Sequence, residues 1–340
     1  MAELILDNVS KNFDDQTVVD KFSLTIPEGA FCALLGPSGC GKTTTLRMIA
    51  GLDNLTSGKL MMDKQILDNG SSFIPPEKRQ MSMVFQSYAL WPHMTVKENV
   101  AYPLKVQRQS AVHIQTVLRR VLETVDMEKY ANRRVQDLSG GQRQRVALAR
   151  CLVAEPKVVL LDEPLANLDR HLRSAMEQSF REFHRKTGAT FVFVTHDQAE
   201  AMALATHVAV MNQGRLIQSG TPESLYQQPE SSWLAGFIGK GSVLNLPIKQ
   251  YNRRKLDARD LELSSSVTPL PVLLRPEHVV IAESGISAIV KDCVFLGERY
   301  LLTLSFTHDQ QSVTCYHNSA LPLNTTVYVE LEQGWRVDVA

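Results

Sequence analysis

The stretch GPSGCGKTTTLR, Gly36 to Arg47, fits the pattern G-x-x-x-x-G-K-[ST] and constrains the fold more than any other part of the chain. It follows the apolar run Phe31-Cys32-Ala33-Leu34-Leu35 and precedes a helix-like segment, Lys42 to Ala50, that Gly51 ends. Strand, glycine loop and helix in that order are the context the pattern requires. Gly36, Gly39 and Gly41 let the backbone curl so that N–H groups point inward, and the helix adds the positive end of its dipole, which suits a phosphate. Lys42 then reaches the β- and γ-phosphates and the Thr43 hydroxyl takes Mg²⁺. Pro37, Ser38, Cys40 and Thr44 complete the loop. Cys40 occupies a permissive position that implies no redox role, although its thiol is a candidate for alkylation.

The surroundings of this loop indicate a large chain with a second part. At 340 residues, two domains are expected. Lys plus Arg and Asp plus Glu are each 36, so no basic footprint points to nucleic acid as the main partner. The five cysteines, Cys32, Cys40, Cys151, Cys293 and Cys315, include no CxxC pair, which indicates neither a disulfide framework nor a zinc site and fits a reducing compartment. The opening MAELILDNVSKNF lacks the layout of a secretion signal, and no stretch approaches the roughly 20 apolar residues of a membrane-crossing helix. The chain is expected to be soluble unless something else holds it to a membrane.

Hydropathy patterning divides the chain further. LILDNV, QTVV and FSLTI read as early strands. Ile114, Val117, Leu118, Val121, Leu122 and Val125 recur at helical spacing, so residues of about 88–155 read as a helical insertion. KVVLLDEP returns to a buried strand; Leu172, Met176, Phe180 and Phe183 mark one helix face up to Gly188; TFVFVTHD is another buried strand. Such strands, buried on both faces and separated by helices, predict an α/β fold with a mostly parallel sheet covered on both sides. Past residue 240, RYLLTLSF and TVYVEL alternate, and residues 243–340 are expected to form a small all-β domain, a compact barrel.

Two further motifs accompany the loop. In VVLLDE, a carboxylate at the tip of a buried strand, Asp162, can hold Mg²⁺ through its water shell, and Glu163 can activate a water. LSGGQRQRVALAR, Leu138 to Arg150, runs Ser139-Gly140-Gly141-Gln142 directly into a helix and gathers free N–H groups and a hydroxyl at a positive helix end. By itself this stretch is either a second anion site or a serine-capped glycine turn.

LSGGQ, the phosphate loop and LLDEP, in this arrangement, resemble the nucleotide-binding subunit of ATP-binding-cassette (ABC) transporters, and the similarity covers nearly the whole chain. The resemblance implies a P-loop NTPase cassette over residues 1–240 and a TOBE-like (OB-like) β-barrel over 243–340. It implies that Phe13 stacks on adenine, a role that competes with a half-buried strand aromatic. Gln86, in VFQSYAL, would couple Mg²⁺ and the attacking water to the membrane partner, and Asp169, in ANLD, would sit at the dimer seam. His196, in VTHD, would hold the γ-phosphate region, while Ser139 and Gly141 would cover the γ-phosphate on the other subunit. The seam motif more often reads S-x-L-D; Ala166 replaces its serine here and removes a hydroxyl.

The same resemblance implies hydrolysis of ATP with Lys42, Glu163, His196 and Gln86 at the reacting end, and two copies closing on two ATP. It implies permease subunits docking near Gln86, an extracytoplasmic substrate-binding protein, and a peripheral place on the cytoplasmic face of the inner membrane. FQSYALWPHMTVKENVAYPL, LLRPEHV and VFLGERY are similar to importers of sugars, polyamines, ferric ion, sulfate and phosphonates. Ferric ion is the first expectation for cargo, with phosphonate, polyamine or sugar as alternatives. The tail is either a stabilising or dimer-forming module or a regulatory one. A soluble cassette ATPase of translation or DNA repair is the competing class, disfavoured by a single phosphate loop and the lack of a basic tract. A mere ATP sensor would have no need of a water-activating Glu163.

Overall fold

The computed structural model describes residues 2–166, 170–248, 253–261 and 268–338, and divides into two units, Met1–Pro222 and Glu223–Ala340. In chain order the first unit holds β1 (Leu4–Phe13), β2 (Gln16–Ile26), β3 (Phe31–Leu35), α1 (Lys42–Ala50), β4 (Ser57–Met62), β5 (Gln65–Asp68) and β6 (Met81–Val84). The helices α2 (Val96–Val106), α3 (Ala111–Thr124) and α4 (Gly140–Leu152) follow, then β7 (Val158–Asp162), α5 (Arg170–Thr187), β8 (Thr190–Thr195), α6 (Gln198–Leu204), β9 (His207–Asn212) and β10 (Arg215–Gly220).

The apolar runs that read as doubly covered strands form the centre of a six-stranded sheet of order β10-β9-β3-β8-β7-β6. Its pairs are parallel from β9 to β6, with β10 added antiparallel at one edge. All five residues of β3 and all six of β8 are buried. Truncating one of them, such as Leu34 to Ala, costs about 2–5 kcal/mol. The register pairs Leu35 with Thr195, Asp162 with Val194 and Val84 with Leu161, so the loops following β3, β6, β7 and β8 leave the sheet at the same edge. Ligands of open α/β sheets bind at that carboxyl edge.

The early strands form a separate antiparallel sheet, β2-β1-β4-β5, outside the parallel one. QTVV and FSLTI, which the sequence separates, are one strand: β2 continues through the register shifts against β1, with Lys21 at φ 47° absorbing the break in alternation. The helical insertion starts with α2, capped by Thr95 and Glu98 in a reciprocal capping box. On α5, Met176, Phe180 and Phe183 are buried, and the helix ends where Gly188 takes φ 64°.

The second unit holds α7 (Pro222–Gln227, from its second residue), α8 (Ser232–Phe237), β11 (Ser242–Leu246), β12 (Lys255–Asp257), β13 (Leu270–Leu274), β14 (Val279–Ala282), β15 (Ile286–Phe295), β16 (Tyr300–Phe306), β17 (Ser312–His317), β18 (Thr326–Leu331) and β19 (Gln333–Arg336). Residues 223–240, which the sequence groups with the cassette, fall in this unit. Two antiparallel sheets, β11-β13-β19-β12 and β14-β18-β15-β16-β17, share one apolar core that includes Leu244, Leu274, Val290, Leu302, Leu304 and Val329. Arg275, buried, ties the end of β13 to the helices: Nε donates to Tyr226 O at 3.0 Å and Nη1 to Ile238 O at 2.7 Å.

Candidate functional site

The phosphate loop has the backbone its glycines foretell. Gly39 and Gly41 take φ 79° and 102°, conformations side chains resist. A Cβ on Gly36 would lie 2.2 Å from Met211 O, and one on Gly41 2.7 Å from Val18 O. The second contact sets the loop against β2, whose hairpin partner β1 ends at Phe13. That ring is 45% exposed, with Lys11 Nζ 4.7 Å from its centroid, and so offers an open face for stacking. Lys42 is only 6% exposed, and its Nζ donates to Gly36 O and Pro37 O, both at 2.8 Å, inside the cradle.

At the neighbouring strand tip Thr43 Oγ1 donates to Asp162 Oδ1 at 3.2 Å. The Asp162 carboxyl is pushed above its ordinary value, chiefly by burial; the Thr43 bond opposes this, and Glu163 adds to it. Glu163 has φ 45°, the left-handed region that a non-glycine residue seldom adopts. Its side chain meets two loops from other strands: Gln86 Nε2 donates to Oε2 at 3.4 Å, and His196 Nδ1 lies 3.3 Å from Oε1. Gln86, Glu163, Ala166 and His196 line one cavity of about 220 Å³. Residues far apart in sequence, 86, 163 and 196, are thus brought to one point beside the loop holding Lys42 and Thr43.

Ser139 and Gln142 use their polar groups on each other at the start of α4. Gln142 N donates to Ser139 Oγ at 3.3 Å and Ser139 N to Gln142 Oε1 at 3.0 Å, which leaves Gly140 and Gly141 at the positive end of a thirteen-residue helix. The loop beyond Gln86 is fixed by buried Asn99, whose Oδ1 accepts from Trp91 N at 2.9 Å while Nδ2 donates to Trp91 O at 3.1 Å. Asp169 lies outside the described residues.

The donor set fits a nucleotide with Mg²⁺. The loop packs on β9 and β2 too closely for a Cβ at Gly36 or Gly41, the Lys42 amine lies within it, and the Thr43 hydroxyl and an Asp162 oxygen sit together at its rim. Among the described residues no group of three or more His, Cys, Asp or Glu gathers around one point. Few protein oxygens combined with phosphate oxygens is how Mg²⁺ is usually held.

Comparison with known proteins decides the family. The ABC transporter family profile matches residues 19–166 and the TOBE domain profile residues 272–337. The spermidine/putrescine import ATP-binding proteins PotA of Escherichia coli (strain K12) and of Shigella boydii serotype 4 are each 43% identical over 288 residues, 82% of this chain and 75% of theirs. This chain belongs to the ATP-binding subunits of ABC importers. Among solved structures, cbiO1 from Clostridium perfringens, part of the ABC transporter complex cbiONQ, superposes with a TM-score of 0.62 at 28% identity, covering 66% of this chain and 90% of that one. A dimeric ATP-binding cassette in a post-hydrolysis state with ADP and Pi gives 0.56 at 29% identity, covering 64% and 98%. Proteins of this family bind ATP with Mg²⁺ and hydrolyse it.

Within this ABC subunit, four residues of the cavity went unread in the sequence: Arg173, Thr195, Asp197 and Glu200. One signal for them existed. Asp197 and Glu200 stand three apart before a helix, the spacing of a capping box. The structure uses half of it: Asp197 caps α6, while Glu200 Oε2 instead accepts from Thr195 Oγ1 at 2.6 Å.

Proposed function

We propose that this subunit powers the import of polyamines of the spermidine and putrescine class, hydrolysing ATP at the cluster of Lys42, Thr43, Gln86, Asp162, Glu163 and His196. The observation that carries the hydrolytic part is the meeting of Gln86, Glu163 and His196 at hydrogen-bonding range over one cavity. The cargo rests on the 43% identity with proteins named for spermidine and putrescine import. Ferric ion, the cargo expected first from the sequence, finds no support in these relatives, whereas the polyamine alternative fits them.

In this reading the loop from Gly36 to Thr44 binds the triphosphate through its N–H groups and Lys42. Thr43 and Asp162 hold Mg²⁺, which supplies neutralisation of the phosphate charge. Glu163 takes a proton from water, His196 orients Glu163 and the γ-phosphate end, and Gln86 relays the state of the site to the permease. Phe13 stacks on adenine. Ser139, Gly140, Gly141 and Gln142 face the nucleotide of a second copy, with Asp169 at the seam between the copies. Since no helix among the described residues is long and apolar enough to cross a membrane, the subunit reaches its place on the cytoplasmic face through permease subunits, which an extracytoplasmic binding protein supplies.

The test is ATPase activity of the chain reconstituted with its permease and binding protein, in the presence of spermidine, putrescine, ferric ion, a phosphonate or a sugar. Stimulation by a polyamine alone supports the proposal. Stimulation by ferric ion instead overturns the cargo, and hydrolysis indifferent to any permease overturns the transport role.

A further inference from the structure

The loop carrying His196 is fixed on both flanks by one network. Thr195 Oγ1 donates to Glu200 Oε2 at 2.6 Å and accepts from Asp197 N at 3.0 Å. Asp197 Oδ1 accepts from Ala199 N at 2.7 Å and from Glu200 N at 3.3 Å, which leaves its other oxygen free of α6. That oxygen, Oδ2, meets Arg173 Nη1 at 2.9 Å, and the same nitrogen lies 3.8 Å from Glu200 Oε1. Arg173 is on α5, the helix that follows the seam segment after Ala166, so one guanidinium joins the two chain stretches on either side of Glu163's cavity. Its Nε is buried and has no partner among the described residues, so the side chain is held chiefly through its carboxylate contacts.

Charge makes this join consequential. Glu200 is 5% exposed, and its carboxyl is pushed up mainly by burial. The Thr195 bond and Arg173 favour its ionised form, while Asp197 and Glu177 oppose it. Without Arg173, Asp197 and Glu200 would lose the cation between them. Asp197 would then turn from its cap or Glu200 would take up a proton, and either change releases a residue adjoining His196 or bonded to Thr195.

We propose that Arg173 is a positioning residue for ATP hydrolysis, holding the His196 loop to α5 so that the imidazole stays against Glu163. Its polar contacts are to Asp197 and Glu200 and not to Glu163 or His196, so it acts through the loop that carries His196. The inference rests on the reading of Glu163 and His196 as hydrolytic groups.

The experiment measures ATP hydrolysis by the full chain for Arg173→Ala and Arg173→Lys, each alone and combined with His196→Ala, alongside Glu163→Gln. A misplaced group of this kind costs about 10- to 100-fold in rate. Arg173→Ala is therefore expected to lower kcat by that factor with the KM for ATP unchanged, and Arg173→Lys, which keeps the charge, to lose less. In the His196→Ala background neither substitution is expected to lower the remaining rate, because the residue they act through is gone. Equal fractional losses in both backgrounds, a raised KM with unchanged kcat, or wild-type turnover by Arg173→Ala overturns the inference. If Arg173→Ala does not fold, the lysine variant decides on the same criteria. Normal hydrolysis by Glu163→Gln brings down the reading of the site itself and this inference with it. Loss in Glu163→Gln with normal turnover in Arg173→Ala brings down only the latter.

Discussion

Arg150 on α4 donates to Ala89 O at 2.7 Å through Nη1, and its Nη2 reaches Tyr88 O at 2.9 Å. Tyr88 and Ala89 hold consecutive left-handed conformations, φ 63° and 45°, and the guanidinium also lies 4.8 Å from the Trp91 ring centroid. The helix that begins at Ser139 therefore grips the loop that begins at Gln86.

Arg150→Ala is expected to leave basal ATP hydrolysis in place while weakening its stimulation by the permease. Residues that link two sites modulate coupling by about 0.5–2 kcal/mol, so the stimulated-to-basal ratio should fall by about 2- to 30-fold. Arg150→Lys should not restore it, because one ammonium does not reproduce a fork across two carbonyls. Turnover assays with and without reconstituted permease read both numbers.

Glu163→Gln is expected to bind ATP and to dimerise with it while hydrolysis drops by about 10²–10⁴-fold. Nucleotide affinity by titration, ATP-dependent mass by gel filtration and phosphate release separate the three properties. Near-normal phosphate release would falsify the role of this carboxylate.

Asp162→Asn gives a pH-dependent signature. Burial raises the Asp162 carboxyl, so its contribution to stability is fully present below the ordinary aspartate value, near 3.9, and is lost as pH rises through the raised one. The asparagine variant should melt at a higher temperature than the unsubstituted chain at pH 7, and that difference should close as pH falls. Its Mg²⁺-dependent nucleotide binding should be lost at every pH. A melting difference that grows towards acid would contradict the assignment.

Arg79→Met tests the anchor of α1. Arg79 is 0% exposed, and Nη1 donates to Met48 O at 2.7 Å and Ile49 O at 2.8 Å, in the last turn of the helix that starts at Lys42. Its Nε donates to Ile74 O at 2.7 Å. Carbonyls left without a donor cost about 1–3 kcal/mol each, so a loss of about 3 kcal/mol or more is expected in denaturant unfolding. Gly51→Ala should disturb the same place, since Gly51 has φ 80° and a Cβ there would lie 2.6 Å from Arg79 Nε.

What the sequence made legible is what short-range physics determines. The apolar run before Gly36 and the helix end at Gly51 are local demands met where they were expected, and of the three loop glycines Gly39 and Gly41 take positive φ while Gly36 is required by its close approach to Met211 O. The α3 periodicity survives as the buried Val117, Val121, Leu122 and Val125. Arg79, Asn99, Arg150 and Arg173 were not legible, because a polar residue in a string reads as surface. The arginines reach carbonyls and carboxylates up to 62 positions away that only the tertiary fold sets beside them, and Asn99 closes on the backbone of the irregular loop four to eight residues before it, which has no periodic pattern to read. The continuous β2 was missed for a related reason: the bend at Lys21 hides one strand behind two apparent ones.

The division at Pro222 and Glu223 bears on how such a chain could be reshuffled in evolution. Arg275 engages the carbonyls of Tyr226, Ile238 and Lys240, so α7 and α8 share hydrogen bonds with the β-rich tail. A gene fusion that transplanted only the strands from Ser242 onward would strand that guanidinium in the interior without its acceptors. A piece cut at Glu223 keeps the guanidinium and its acceptors together, which a piece cut where the strand pattern begins does not.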